Sequence, residues 1–313
     1  MRIVIMGAGG VGGYYGARLA QAGNSVTFIA RGEHLRALRS QGLRVESIKG
    51  DMLLKEVAAT DDPAAVGPVD LVLVCVKTWQ LQQAARAMRP MIGSDTAVLP
   101  LLNGVEAYDQ LKAALPDSIV LGGLTRILSF IAGPGHIRHT SIEPYIGLGS
   151  MEGAHSKHVR SIEKVLAAAG IQAEVPADLP AAIWAKFQFV SAWGGVGAVT
   201  RAPIGAIRVI PQTRTLIERC LAEIGFVARA RGILLNAELA GRYMAFIDGM
   251  APESTTSLQR DVAAGRPSEL EAWTGAVVRL GRAAGVETPV NAVIYAALLP
   301  QEQAARSAIN DQP

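Results

Sequence analysis

A run of closely spaced glycines near the start of the chain is the first pattern that could do chemistry. The residues are Gly7, Ala8, Gly9, Gly10, Val11 and Gly12. This GxGxxG spacing follows a short apolar run and precedes helical spacing, which permits a tight turn at Gly7, a close backbone approach at Gly9 and close helix–strand packing at Gly12. Unpaired N–H groups at such a helix start bind phosphate oxygens. The pattern predicts a dinucleotide-binding loop, with a glycine-rich turn that binds nothing as the alternative.

The residue after the second predicted strand indicates which dinucleotide fits. Arg31 stands where an NAD site usually has an acidic residue that accepts hydrogen bonds from the ribose hydroxyls. A guanidinium can hold a 2′-phosphate through two hydrogen bonds, whereas a carboxylate repels it. We therefore predict NADP(H) as the cofactor. Glu33 keeps NAD open as an alternative, and an ordinary solvated arginine is the other interpretation.

Two polar side chains follow later predicted strands. Lys77 comes directly after the run Leu71–Val76, and Asn103 follows Ala97–Leu102 and precedes Gly104. Ligands of doubly wound sheets bind outside the carboxyl ends of the strands. Both residues are therefore candidate ligand contacts, although either one alone fits an ordinary strand end.

A lysine and two glutamates are the candidates in the second half of the chain. Lys186 lies in the largely apolar helical segment Ile183–Phe187, where burial without a partner would be costly. A structural lysine that extends to solvent is the alternative. Glu269 and Glu271 follow Ser268, in what the spacing predicts to be a first helical turn with capping and dipole roles. The spacing does not decide which of them faces a pocket.

These residues require an α/β scaffold in the first half of the chain. Continuous apolar runs are typical of a parallel sheet covered on both faces. The predicted strands are Arg2–Met6, Ser25–Ala30, Leu71–Val76, Ala97–Leu102 and Ile119–Leu124, and the predicted helices are Val11–Gln21, Gln80–Met91 and Ala107–Leu115. The alternating segment His136–Gly149 predicts two antiparallel strands paired with each other.

Beyond about residue 155, helical patterns replace the strands, and Pro176–Pro180 is the predicted linker. The fold prediction is an α/β protein with an N-terminal Rossmann-type doubly wound sheet over residues 1–175 and an all-helical C-terminal domain over residues 176–313. A capping box at Ser268–Glu271 begins one helix, and Thr288 with Pro289 begins the next. The polar tail after Pro300 is expected to be loosely ordered.

Composition excludes several classes of protein. With 313 residues, 50% hydrophobic and 18% charged, the chain is neither disordered nor built of membrane spans. A net charge of +3 without charge runs does not require nucleic acid. The two isolated cysteines, Cys75 and Cys220, predict a reducing compartment and no metal site. The N-terminal sequence is too short and glycine-broken for a secretory signal, so a cytoplasmic location is expected.

Taken in order, these motifs resemble the ketopantoate reductases (2-dehydropantoate 2-reductases) along nearly the whole chain. The stretches that carry the resemblance are Gly7–Gly12, Arg31–Leu35, Val76–Gln80, Asn103–Gly104, Gly133–Thr140, Trp184–Lys186, Ser257–Asp261 and Gly265–Glu269. The resemblance implies a Rossmann domain, a helical C-terminal domain and the NADPH-dependent reduction of a 2-oxo acid, as in pantothenate biosynthesis.

The resemblance also implies roles for individual residues. Lys186 matches the general acid that protonates the substrate carbonyl oxygen, and an ammonium can stabilise and protonate a developing alkoxide. Glu269 matches the acid near that lysine and the nicotinamide, which leaves Glu271 the capping role. The other matched positions are Asn103 (nicotinamide and substrate), Ser257 (substrate carboxylate), Lys77 (cofactor) and Leu128 (NADP, through its backbone).

The sequence departs from this resemblance where ketopantoate itself would be recognised. Members with established activity tend to have asparagines four and eight residues after the lysine, where this chain has Val190 and Gly194. A further asparagine commonly stands at the position of Ile204. A site that binds a substrate hydroxyl discriminates through polar groups that are otherwise unpaired. With Trp193 nearby, these changes favour a drier pocket and a branched or aromatic 2-oxo acid, unless the helix register is shifted.

The leading prediction is an NADPH-dependent 2-oxo acid reductase with ketopantoate as the default substrate. A D-2-hydroxy acid dehydrogenase for a branched or aromatic acid is the second possibility, and a non-catalytic NADP-sensing protein is the third. A sensor would not need Lys186, Asn103 and Glu269 together. The expected partner is a small 2-oxo acid, without nucleic acid or membrane. The apolar helices could pack within one chain or across a homodimer.

Overall fold

The computed structural model describes residues 1–116, 118–152 and 157–310, and the chain divides into two compact units. The first unit comprises Met1–Leu102 and Glu106–Ala182. The second comprises Asn103–Val105 and the chain from Ile183 onward. The division therefore falls inside a helix, and a three-residue segment after one strand groups with the helical unit.

Strands and helices alternate through the first unit, and helices make up the second. In chain order the elements up to the division are β1 (Arg2–Met6), α1 (Gly10–Gln21), β2 (Ser25–Ile29), α2 (Gly32–Gln41), β3 (Leu43–Ser47), β4 (Met52–Leu54), β5 (Ala58–Thr60), β6 (Leu71–Val74), α3 (Leu81–Met88), β7 (Ala97–Pro100), α4 (Ala107–Ala114), β8 (Ile119–Val120), β9 (Gly122–Arg126), β10 (Ser129–Gly133), β11 (His136–His139), β12 (Tyr145–Gly149), α5 (Lys157–Ala168) and β13 (Gln172–Glu174). They continue with α6 (Leu179–Thr200), α7 (Ile204–Val209), α8 (Pro211–Ala230), α9 (Leu239–Asp248), α10 (Ser257–Ala263), α11 (Thr274–Ala283) and α12 (Pro289–Asn310).

Six parallel strands form the central sheet of the first unit, in the order β5-β2-β1-β6-β7-β8. This is the strand order of a Rossmann-type doubly wound sheet, whose ligands bind where the order reverses, next to β1. Met6 lies opposite both Ile29 and Val74. The segments that follow β1, β2 and β6 therefore leave the sheet at one edge. The predicted fold class is confirmed.

The apolar run of β1 is continuous because the strand is covered on both faces. Ile3 and Ile5 belong to one buried cluster, together with Tyr14 and Phe28, while Val4 belongs to another with residues of α3 and α4. Successive side chains of a strand point to opposite faces. A parallel strand covered by helices on both sides consequently needs no polar position.

Two strand predictions in the first unit are wrong. The run Ile119–Leu124 is split at Leu121, because β8 extends the parallel sheet while β9 pairs with β12. Within His136–Gly149, β11 and β12 do not pair with each other. The first pairs with β10 and β3, and the second with β9 and β13. Alternation identifies strands, but long-range contacts choose their partners.

The predicted helix start at Ser268–Glu271 in the second unit is also corrected. Ser268–Glu271 forms no capping box, because the hydroxyl of Ser268 donates to Glu302 and the carboxylate of Glu271 accepts from Tyr295. Residues Leu270–Ala272 make a single 3₁₀ turn instead, so Glu271 is not a cap. Helix α12 begins at Pro289 as predicted, although its first N–H groups donate to the carboxylate of Glu223.

Residues 301–310 are helical, which corrects the expectation of a loosely ordered tail for that part of the chain; residues 311–313 lie outside the described residues. Helix α12 continues through Pro300 to Asn310. The C-terminal part of α12 is held in place because Leu298 and Ala305 are buried and the carboxylate of Glu302 accepts a hydrogen bond from the N–H of Ser268. Among the helices in the described ranges, none combines the length and the apolar character that crossing a membrane requires.

Candidate active site

The glycine-rich turn after β1 leaves open space beside Gly9. Gly7 has φ +103°, a conformation that favours glycine. A Cβ on Gly12 would lie 2.1 Å from the carbonyl oxygen of Gly7, so α1 packs directly on the turn. A Cβ on Gly9 would meet no described atom within 4 Å. No described side chain caps α1, and its first turn holds no acidic residue. Open space and free N–H donors therefore coincide at this helix start, which suits an anionic group.

Arg31 lies at the same edge of the sheet, two residues after β2. It is exposed, and its side chain makes no hydrogen bond or ion pair with any other described residue. The backbone connects it to the glycine turn, because the N–H of Ala8 donates to the carbonyl of Ile29 at 3.1 Å. Glu33 instead forms an exposed ion pair with Arg36 at 3.7 Å. The geometry leaves the Arg31 guanidinium available for a phosphate group.

Lys77 and Leu128 also lie beside the glycine turn. Lys77 is half-buried and follows Val76, whose backbone nitrogen would be 3.0 Å from a Cβ on Gly7. Leu128 is half-buried, and its carbonyl accepts from the N–H of Thr140 at 2.9 Å. Ser129, the next residue along the chain, approaches α1, because a Cβ on Gly10 would lie 2.4 Å from the carbonyl oxygen of Ser129. The first unit thus groups all the cofactor-side candidates except Asn103.

Asn103 connects two charged side chains in the second unit. The ammonium of Lys186 donates to Oδ1 of Asn103 at 2.8 Å, and Nδ2 of Asn103 donates to Oε2 of Glu269 at 3.0 Å. An ammonium can only donate and a carboxylate can only accept, so the two contacts fix the orientation of the amide. Glu269 is buried, whereas Lys186 and Asn103 are half-buried. Three residues that are distant in sequence therefore form one polar array.

The chain close to Asn103 is shaped to reach this array. Gly104 has φ +89°, and a Cβ there would lie 3.1 Å from the carbonyl oxygen of Ala272. That oxygen belongs to the 3₁₀ turn directly after Glu269. Glycine is the residue that tolerates both the positive φ and the close approach. The Asn103-Gly104 pair seen in the sequence thus has a local physical reason.

Ser257 is outside the hydrogen-bonded array. It is the first residue of α10, is half-buried, and its hydroxyl bonds to no other residue that the structure describes. The neighbouring Thr256 caps the helix by accepting from the N–H of Gln259. The serine hydroxyl is therefore not committed to the helix end.

A tryptophan that the sequence analysis did not single out packs on Gly194. Helix α6 is unbroken from Leu179 to Thr200, so Lys186, Val190 and Gly194 follow at regular helical spacing. A Cβ on Gly194 would lie 2.5 Å from the ring of Trp273, which is buried. The indole N–H of Trp273 bonds to no described group. The ring occupies the space that a side chain at position 194 would need. The sequence alone does not show that Gly194 faces Trp273, because only the fold brings the two residues into contact.

Known proteins match this chain in sequence and in structure. A model of the ketopantoate reductase PanE/ApbA family matches residues 3–153, and the model of its C-terminal part matches residues 178–302. The chain belongs to this family. A 2-dehydropantoate 2-reductase of Nostoc sp. is 30% identical over 299 residues, which cover 94% of this chain and 93% of the relative. A PanE/ApbA family ketopantoate reductase from Ralstonia eutropha superimposes with a TM-score of 0.90 at 35% identity, with 98% and 100% of the two chains covered.

The ketopantoate reductase fold is shared more widely. D-mandelate dehydrogenase, in a ternary structure with NADH and anilino(oxo)acetate, has a TM-score of 0.90 at 22% identity, with 98% of this chain and 100% of that chain covered. At this identity the likeness concerns the fold alone.

Membership of the ketopantoate reductase family confirms the predicted enzyme class and cofactor. The chain is an NADP-dependent oxidoreductase that acts on CH–OH donors, and its reaction class is the reduction of a 2-oxo acid. The fold and the resemblance deduced from the motifs are confirmed as well. The identity of the 2-oxo acid is a finer question.

Proposed function

We propose that Lys186, Asn103 and Glu269 form the catalytic array of this ketopantoate reductase family member. The observation that carries the proposal is the bonded sequence from the Lys186 ammonium through the Asn103 amide to the Glu269 carboxylate. NADPH, when bound, supplies a hydride to the carbonyl carbon of the 2-oxo acid. The carbonyl oxygen gains the electron pair and needs a proton, and the product is a 2-hydroxy acid.

Lys186 has the chemistry for that proton. Its ammonium stabilises negative charge developing on the carbonyl oxygen and can donate a proton to it. Asn103 holds the ammonium in place by accepting a hydrogen bond from it. Glu269 orients the amide of Asn103 from the opposite side. The Ser257 hydroxyl, which is uncommitted, is the proposed donor to the substrate carboxylate.

On the cofactor side, the first unit offers a set of donors that fits NADPH. The free N–H groups at the start of α1 are proposed to hold the pyrophosphate, and Arg31 the 2′-phosphate. Lys77 and the backbone of Leu128 lie beside the same turn and are proposed as further contacts. The N–H groups at the helix start suit the pyrophosphate of NADPH, and the guanidinium suits its 2′-phosphate.

Two substrates are candidates, and each has its own support. Ketopantoate is supported by relatives named 2-dehydropantoate 2-reductase that match nearly the whole chain. A branched or aromatic 2-oxo acid is supported by Val190 and by the packing of Trp273 on Gly194, which leaves no space for an amide there. Apolar walls do not compensate the desolvation of a substrate hydroxyl. The geometry of the helical unit therefore favours the more apolar acid.

A substrate panel with one active-site variant tests the proposal. NADPH oxidation is followed with ketopantoate, 2-oxoisovalerate and benzoylformate, and kcat/KM is expected to be highest for one of the apolar acids. A far higher value for ketopantoate would overturn the substrate assignment alone. Steady oxidation with any of the three excludes a non-catalytic sensor. The Lys186→Ala variant should lose roughly 10²–10⁴-fold in kcat while its affinity for NADPH changes little. Unchanged turnover in that variant would remove the lysine from the mechanism.

A further inference from the structure

A buried carboxylate on the last helix bonds to the residue before Glu269. The side chain of Glu302 on α12 is 2% exposed. Its two oxygens accept from the backbone N–H of Ser268 at 3.2 and 3.0 Å, and one also accepts from the Ser268 hydroxyl at 2.5 Å. Arg306 lies 2.7 Å from the carboxylate and donates to the Ser268 carbonyl at 3.2 Å. A buried carboxylate needs several hydrogen-bond partners, and most of the partners of Glu302 belong to Ser268.

The same helix also holds the chain on the other side of Glu269. The phenol of Tyr295 donates to Glu271 at 2.5 Å. Burial, together with the Glu271 carboxylate, raises the pKa of Tyr295 to about 12, so the phenol remains a donor. Tyr295 and Glu302 are seven residues apart on α12, with Arg306 four further on, so all three project from one side of the helix. Helix α12 therefore holds Ser268, directly before Glu269, and Glu271, two residues after it.

We infer that Glu302 is a positioning residue, which acts through Ser268 to hold the Glu269 carboxylate where it meets Asn103. The inference rests on the proposed role of Glu269. Glu269 makes its 3.0 Å contact with Nδ2 of Asn103 from the beginning of the 3₁₀ turn Leu270–Ala272. The hydroxyl of Ser268 also accepts from the N–H of Leu270 at 3.2 Å. Glu302 thus fixes the start of the turn from which Glu269 projects.

The charge of Glu302 is essential to this arrangement. All the groups that face it are donors: a backbone N–H, a hydroxyl and a guanidinium. A glutamine in the same place would have one accepting oxygen and an NH₂ group that confronts another donor. The Glu302→Gln variant would also remove the negative charge from the 2.7 Å ion pair with Arg306. Ser268 and the turn would consequently lose their fixed position while the size of the side chain stays the same.

The Glu302→Gln variant is tested with NADPH and the best 2-oxo acid of the panel. A displaced catalytic group costs up to about 10²-fold, so kcat should fall by roughly 10- to 100-fold, with the KM for NADPH within about twofold of wild type. Glu223→Gln is the matched control, because Glu223 is also buried and accepts from the N–H groups of Val290 and Asn291 at the other end of α12. It should lower the melting temperature without lowering the kcat of the folded enzyme. Equal losses of kcat in both variants would overturn the inference.

A double-mutant cycle separates positioning from stability. In a Glu269→Gln background, adding Glu302→Gln should change kcat by less than about twofold, because the residue that it positions is already removed. Additive losses, or wild-type kcat in a well-folded Glu302→Gln variant, overturn the positioning role alone. Wild-type kcat in the Glu269→Gln single variant overturns the proposed role of Glu269 and the positioning with it. The two failures are therefore distinguished by which single variant stays active.

Discussion

Two glycines of one motif should respond in opposite ways to the same substitution. A Cβ on Gly9 meets no described atom within 4 Å, whereas a Cβ on Gly12 lies 2.1 Å from the carbonyl oxygen of Gly7 and 2.7 Å from the side chain of Ile5. Alanine at position 9 therefore fits the folded protein and extends into the space proposed for the pyrophosphate. Alanine at position 12 forces α1 away from the turn.

The magnitudes follow from these distances. Overpacking costs about 1–3 kcal/mol, and the contact at Gly12 is with rigid backbone, so the upper end applies. About 3 kcal/mol corresponds to a melting temperature lower by roughly 6–12 °C for a unit of this size. Gly9→Ala should change stability by less than about 1 kcal/mol, because its backbone conformation is open to alanine. Loss of one charge-assisted hydrogen bond to phosphate, about 1.5–3 kcal/mol, weakens NADPH binding by roughly 10- to 100-fold.

Thermal unfolding and fluorescence titration with NADPH measure the two effects on the same samples. The expected result is a Gly9→Ala protein that melts as wild type and binds NADPH poorly. Gly12→Ala should melt early. Wild-type affinity for NADPH in Gly9→Ala would refute the assignment of this space to the pyrophosphate. A wild-type melting temperature in Gly12→Ala would refute the packing argument.

Two further predictions concern the first unit. Arg31→Asp should reverse the preference for NADPH over NADH by roughly two orders of magnitude in kcat/KM, because two hydrogen bonds to the 2′-phosphate are replaced by repulsion. Arg36→Asp, at an exposed arginine within α2, is the control, and an unchanged preference in Arg31→Asp would contradict the assignment. Burial lowers the pKa of both His34 and His139 below 6.5. As the pH falls, the two histidines therefore bind protons in the unfolded chain before they do so in the folded protein. The stability that they contribute is complete above about pH 6.5. Below that pH it is lost with a slope of at most about 1.4 kcal/mol per pH unit for each histidine. Urea unfolding from pH 7.5 to 5 should show this loss, and a His34→Gln, His139→Gln double variant should show a flatter dependence; equal slopes would rule the histidines out.

Three features could be predicted because each depends on a short segment of the sequence. They are the alternation of strands and helices, the glycine turn and the parallel sheet. A glycine spacing that permits φ +103° at Gly7 is local, and so is the continuous apolar run that a doubly covered strand needs. Arg31 could be proposed for the same reason, since it stands two residues after β2. The resemblance implied roles for Lys186, Asn103 and Glu269, while the residue types alone left each with an ordinary structural alternative.

The positions of strand partners, caps and charged groups were decided only by tertiary structure. Asn103 meets Lys186 across 83 positions and Glu269 across 166, distances over which periodicity carries no information. Ser268 looked like a helix cap, but Glu302, which is 34 residues away, takes its hydroxyl and its N–H. Hydrophobic patterning acts over a few residues, whereas a buried polar group bonds to whichever partner the packed fold brings within reach. The sequence by itself therefore determined the sheet, the glycine turn and, through the resemblance, the reaction class. The arrangement of Lys186, Asn103 and Glu269 came from the packing of the helical unit.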